Sequence, residues 1–129
     1  MRITGDCPLM DPSIIDDVIE KYFKSKATYA ANIIEPTFPD GEDVEVFSFK
    51  ALELAWKKAK LLSQREHVTV FIRENPQLFK PLSVKGSHDL SQLRWTLDEP
   101  KDWEFIRRVF QHLYPKNKYF TIKDILQLL

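Results

Sequence analysis

The stretch "RITGDCPLMDP" (residues 2–12) breaks a short strand pattern at Gly5-Asp6 and restarts the chain at Asp11-Pro12. The break leaves a glycine and a bare carboxylate at the end of the first predicted strand, Arg2–Thr4. The restart is a helix signal. Asp11 stands at the N-cap position, and Pro12 takes the first helical position, where a missing N–H costs nothing. Ile14, Ile15, Val18, Ile19, Tyr22 and Phe23 then recur at helical spacing, so this helix buries one face.

Further along, the same alternation continues. "TYAANI" (28–33) reads as a strand, "EPTFPDGED" (35–43) as a loop, and the alternating "VEVFS" (44–48) as another strand. Ser48 is placed to cap the helix "FKALELAWKKAK" (49–60). "SQRE" (63–66) matches a capping box, predicting a helix from Ser63 to the break at Asn75-Pro76. "LFKPLSVK" (78–85) and "LRWTL" (93–97) read as strands, with Pro81 marking an edge or bulge. Pro100 starts a helix through Leu113, and Thr121 caps a last short one. Trp56, Trp95 and Trp103 fall at positions suited to core packing, and His88 and His112 read as surface residues. The whole predicts one α/β domain, residues 1–129, with a mostly parallel sheet flanked by helices.

Composition narrows the function classes. The chain has 129 residues, 43% of them hydrophobic, and a formal net charge of zero with both signs mixed throughout. That argues against a polybasic nucleic-acid surface. No stretch approaches the roughly 20 apolar residues that span a bilayer, so no membrane association is expected. The single Cys7 forms no internal disulfide, and no signal-peptide pattern precedes the first strand; a cytoplasmic setting is the expectation. Cys7 itself reads as a small buried thiol.

In open α/β sheets, ligands bind beyond the carboxyl ends of the strands. Two carboxylates are expected there: Asp6 after "RIT" and Asp98 after "RWTL". Such a pair suits a Mg²⁺ that keeps most of its waters and takes other ligands from substrate phosphates. Two plainer readings stand beside this one. Asp6 serves an Asx-type turn before Pro8, and Asp98 or Glu99 serves as cap for the helix opened by Pro100.

Four blocks carry a resemblance: "RITGDCPLMDPSIIDDVI", "FPDGEDVEVFSFKALELAWKKAK", "SQREHVTVFIRENP" and "LRWTLDEPKDWEFIRRVF". Together, and in this order, they resemble the cytidylyltransferase family of spore-coat polysaccharide biosynthesis. That family is related to the CMP-sugar synthetases for 3-deoxy-manno-octulosonate and acylneuraminate. The resemblance implies a Rossmann-like nucleotide-diphospho-sugar transferase fold. It also implies that Asp6 and Asp98 hold the catalytic metal, Mg²⁺, and that CTP and a sugar or sugar phosphate are the substrates.

Family members carry a glycine-rich basic loop for the triphosphate, whereas this chain has three glycines (Gly5, Gly41, Gly86), none in such a run. The expectation is therefore a truncated fold, the C-terminal half of such an enzyme, holding the metal and the acceptor sugar and catalytically silent alone. Asp40, Gly41, Asp43 and Glu45 are the sugar-facing candidates; as an ordinary turn, "PDGED" needs no ligand. Arg65 and His67 of "REHVT" are candidates for a substrate phosphate or carboxylate, while Glu66 suits the capping box. A homodimer joined through Arg2–Thr4 or the 78–85 strand is expected from an open sheet edge. The alternative is a non-catalytic module for sugar binding or self-association.

Overall fold

Tyr29, Ala30 and Ala31 form β1 (Tyr29–Ala31), and all three are buried. Side chains alternate along a strand, so β1 serves two layers at once. The computed structural model describes residues Met1–Leu129. On one face, Ile14 and Val18 of α1 (Pro12–Lys24) pack with Ala30, Val44, Val46 and Val84. On the other, Ala51 and Ala55 of α2 (Phe49–Lys58) join Phe71 and Ile72 of α4 (Val70–Glu74) against Tyr29 and Ala31. A third cluster of Leu9, Trp95, Ile106, Val109 and Ile125 ties α5 (Pro100–Leu113) to α6 (Ile122–Leu128).

The sheet order is β2-β1-β3, with β2 (Glu45–Phe47) antiparallel to β1 and β3 (Pro81–Ser83) parallel to it. A mostly parallel sheet is thus corrected to a mixed one. β2 follows β1 through a loop with no crossover helix, and such a return runs antiparallel.

Capping explains where most helices start. Asp11 accepts from Ser13 N–H at 2.8 Å, Ser48 from Ala51 N–H at 3.1 Å, and Asp124 from Thr121 N–H at 2.7 Å. The segment after α2 departs from expectation. It holds two short helices, α3 (Leu62–Glu66) and α4, rather than one from Ser63 to Asn75. Gln64, not Glu66, reaches back, accepting from Leu61 N–H at 3.4 Å. The break between α3 and α4 has a physical cause: buried Thr69 donates to the Glu45 carboxylate at 3.0 Å. Residues 93–97 are extended but form no strand beyond one parallel bridge between Arg94 and Asp40. Arg2–Thr4 likewise contributes a single antiparallel bridge, Arg2 to Glu45. Trp95 is buried as expected, whereas Trp56 and Trp103 are exposed.

One buried carboxylate went unread in the sequence. Glu42 is fully buried; its Oε2 accepts from Asp11 N–H at 2.8 Å and its Oε1 has no partner. Asp11 in turn accepts from Ile122 N–H at 2.9 Å, so Glu42 touches the group that fixes the starts of both α1 and α6. Burial, with the charges of Asp11 and Asp43, pushes the Glu42 carboxyl up to about 8 against the lowering effect of the Asp11 amide.

Between the ordinary value of 4.5 and about 8, the folded protein keeps a proton that the unfolded chain loses. The stability this contributes is complete below pH 4.5 and is lost as pH rises through about 8. Glu42→Gln, which cannot ionise, is expected to flatten the fall in Tm across this window and to raise Tm at its alkaline end. Thermal melts followed by circular dichroism check it. A variant with the wild-type pH profile would assign the slope to another group.

Candidate active site

Four carboxylates lie within six residues, Asp40 to Glu45, and the fold gives each a different setting. Asp40 is exposed, but its backbone is bound on both sides. Its N–H donates to Leu93 C=O at 2.9 Å and its carbonyl accepts from Trp95 N–H at 2.7 Å. Gly41 follows with φ of 108°, and a Cβ there would stand 2.9 Å from the Trp95 carbonyl carbon and 3.0 Å from Thr96 N. Gly41 therefore serves close contact between two backbone segments, not close approach of a sugar.

Glu45 is also structural. It is buried, and its carboxylate accepts from Arg2 Nη1 at 2.5 Å, Tyr29 Oη at 2.5 Å and Thr69 Oγ1 at 3.0 Å. This carboxylate has its donors and presents no face to a sugar. Asp43 differs: it is half-buried and has no hydrogen-bond partner. Burial first, then the negative charges of Asp40, Glu45 and Asp6, pushes its carboxyl up to about 6, with Arg2 opposing.

Asp6 is exposed. The Thr4 hydroxyl, then its own backbone amide, the Cys7 thiol and Arg2, hold its carboxyl below the usual range against desolvation. Cys7 lies beneath it, with Sγ 3.6 Å from Asp6 Oδ1 and 3.1 Å from Thr4 Oγ1. Burial above all pushes the Cys7 thiol up to about 11, so it is no nucleophile near neutral pH.

The backbone carbonyl of Asp6 accepts from Leu97 N–H at 2.8 Å. Two segments more than ninety residues apart thus lie side by side, one carrying Asp6 and the other Asp98. Asp98 is exposed, with Oδ2 3.6 Å from Arg94 Nη1. Glu99, not Asp98, holds the N-cap position of α5. Asp102 satisfies the open amides there, accepting from Asp98 N–H at 3.0 Å and Glu99 N–H at 2.8 Å.

Arg65 and His67 stand elsewhere. Arg65 donates to the Trp56 carbonyl at 2.7 Å and lines a mainly apolar cleft with Leu52, Trp56 and Val68. His67 is exposed at the end of α3. Neither makes a hydrogen bond or ion pair with the Asp6, Asp43 or Asp98 carboxylates.

No three His, Cys, Asp or Glu side chains converge as a ready cage for a metal. The surplus of negative charge lies at Asp43, from Asp40, Glu45 and Asp6. Asp6 and Asp98 are exposed on adjoining segments, and two such carboxylates are the kind of donor Mg²⁺ takes while filling its octahedron with waters and phosphate oxygens.

A family model described as Cytidylyltransferase matches residues 1–125. The chain belongs to the cytidylyltransferase family. An uncharacterized protein of Methanocaldococcus jannaschii is 41% identical over 116 residues, 87% of this chain and 46% of that protein. The spore coat polysaccharide biosynthesis protein SpsF of Bacillus subtilis is 29% identical over 113 residues, 86% of this chain and 46% of that one. A solved cytidylyltransferase from Leptospira borgpetersenii superposes with a TM-score of 0.91 at 29% identity, covering 98% of this chain and 53% of the other. The cytidylyltransferase fold therefore holds over nearly the whole chain, which spans about half the length of these relatives.

The Gly41 contact gives a direct test of how the two segments are held. Gly41→Ala is expected to destabilise by about 1–3 kcal/mol, from positive-φ strain and the clash with the Trp95 backbone. Gly5→Ala, with nothing within 4 Å of its added Cβ, serves as control and is expected to be near neutral. Urea unfolding of both variants measures the difference; equal effects would remove the close contact as its cause.

Proposed function

We propose that this chain supplies the metal and acceptor-sugar side of a nucleotidyl transfer, in which CMP passes from CTP to a sugar or sugar phosphate. The observation that carries the reading is the Leu97–Asp6 backbone bond, which sets the two family-matched aspartate segments next to each other. In the reaction, an acceptor oxygen attacks the α-phosphorus, the bond from that phosphorus to the β-bridging oxygen breaks, and pyrophosphate leaves. Asp6 and Asp98 are the residues that would hold Mg²⁺, which when bound supplies charge neutralisation and alignment of the triphosphate.

Asp43 and Asp40 are the carboxylates left to accept hydrogen bonds from sugar hydroxyls, since Asp43 has no partner and Asp40 is exposed. Glu45 and Gly41 hold the framework. His67, exposed, and Arg65, held by the Trp56 carbonyl, would enter only as outer contacts to a phosphate or carboxylate on the acceptor. The name of the Bacillus relative supports a role in surface polysaccharide synthesis. A nucleotide substrate supports a cytoplasmic setting; no helix is long and apolar enough to cross a membrane.

Two outcomes are expected of the purified chain. Pyrophosphate release from CTP with sugar acids and sugar phosphates stays at background, because no glycine-rich basic run is present to stabilise the leaving group. Asp6→Asn and Asp98→Asn each weaken binding of Mn²⁺, a spectroscopic stand-in for Mg²⁺, by about tenfold or more while Tm is kept. Mg²⁺-dependent turnover abolished by Asp6→Ala would overturn the first. An Asp98→Asn variant with intact binding and a lowered Tm would make Asp98 structural.

Self-association is supported by a separate observation. A compact monomer of 15.2 kDa exposes about 7,100 Å², whereas this chain exposes 8393 Å². The excess, about 1,300 Å², exceeds the roughly 800 Å² that each partner covers in a standard interface. Met1, Ile3, Phe49 and Trp56 are among the exposed apolar side chains, and β3 has an open edge. A homodimer is expected by light scattering at micromolar concentration; a soluble 15.2 kDa monomer would count against it.

A further inference from the structure

Arg94 is the one cation placed against Asp98, and it is not free to leave. Its Nη2 and Nη1 lie 2.5 and 3.2 Å from Asp102 Oδ2, and Nη1 also reaches Thr96 Oγ1 at 3.3 Å. These contacts orient the guanidinium. The Arg94 backbone is fixed too, since its neighbours bond on both sides with Asp40 and Leu97 bonds with Asp6. The result is a positive group 3.6 Å from Asp98 Oδ2, with the rest of that carboxylate open to solvent. Asp6 makes no ion pair of this kind; Arg2, the nearest cation to it, is paired with Glu45.

We infer that Arg94 makes the Asp98 side of the site selective for a metal already bound to phosphate over the bare cation. The physical reason is charge. A free divalent ion at Asp98 meets a guanidinium 3.6 Å from the carboxylate and is repelled by it. A metal–nucleoside triphosphate complex carries net negative charge, so the same guanidinium attracts it and can give a phosphate oxygen the N–H donors that Asp102 and Thr96 leave unused. Arg94 thus acts as a specificity-determining residue for an anionic metal complex, a role that deepens, and rests on, the reading of Asp98 as a metal ligand.

The test is a pair of titrations of the purified chain, Mn²⁺ alone and Mn²⁺ with CTP, read by electron paramagnetic resonance and calorimetry. Arg94→Gln is expected to tighten Mn²⁺ about fivefold and to weaken the Mn²⁺–CTP complex about fivefold, the scale of one charge at a few ångströms near water. Arg94→Lys, which keeps the charge, should stay close to wild type in both. Arg94→Met serves as a second neutral variant should the first not fold. A change of the same sign for both ligands, or none, would overturn the selectivity and leave Arg94 as a structural pair for Asp102. If Asp98→Asn changes neither titration while Arg94→Gln still shifts them oppositely, the ligand role of Asp98 fails and the charge selection stands. A wild-type chain that binds neither ligand at millimolar concentration would remove both.

Discussion

Burying charge costs several kcal/mol unless each oxygen finds a donor, and residues 40–45 carry two buried carboxylates and a half-buried third through the fold. The solutions differ along the segment. Glu45 draws in three donors, and in doing so joins the amino-terminal segment, β1, β2 and the turn before α4. Glu42 has one amide and an oxygen without a partner, and so retains its proton near neutral pH. Asp43 has neither donor nor full burial, and is left as a strained charge among carboxylates.

These solutions also set the course of the two aspartate-bearing segments. With Asp40 and Gly41 bonded and packed against 93–96, the segment that ends in Asp98 has its path set from one side. The Asp6 carbonyl sets it from the other through Leu97. Asp102 completes the arrangement at the start of α5, where a single carboxylate serves two amides and a guanidinium. A site of this kind is positioned by backbone bonds and needs no rigid side-chain cage, which suits a metal shared with a substrate's phosphates.

Local signals were legible wherever one residue decides an outcome. Asp11-Pro12, Ser48, Pro100 and Thr121 each mark a helix start that the structure shows. Periodicity identified the face of α1 apart from Phe23, which is exposed, and the strands expected over 28–33 and 44–48 form in shorter spans, 29–31 and 45–47. What failed depended on distant partners. Thr69 breaks the expected helix because Glu45 lies across the core, and nothing near Thr69 in sequence announces that. The 93–97 segment has strand-forming residues, yet its partners are a loop and a turn, so it forms one bridge and no ladder. Glu42 and Glu45 look like ordinary loop and strand acids, and only the Gly41-backbone contact and the apolar residues at 44 and 46 hint that this chain runs inward. Asp6 and Asp98 were expected at strand ends; their segments adjoin through the Leu97–Asp6 backbone bond, but neither segment is a strand.

Cys7 gives the molecule a property of a different kind. It is the single cysteine of the chain, it is buried, and its thiol is pushed up to about 11. In the closed state it is protected from alkylating reagents both by burial and by its lack of thiolate. Reagents reach it only when the chain around it opens, and the thiol then regains ordinary reactivity. Because Cys7 adjoins Asp6, the rate at which this thiol is modified under native conditions measures the free energy of the opening that exposes it. The segment that carries the carboxylate therefore contains its own labelling clock, readable by mass spectrometry without any substrate.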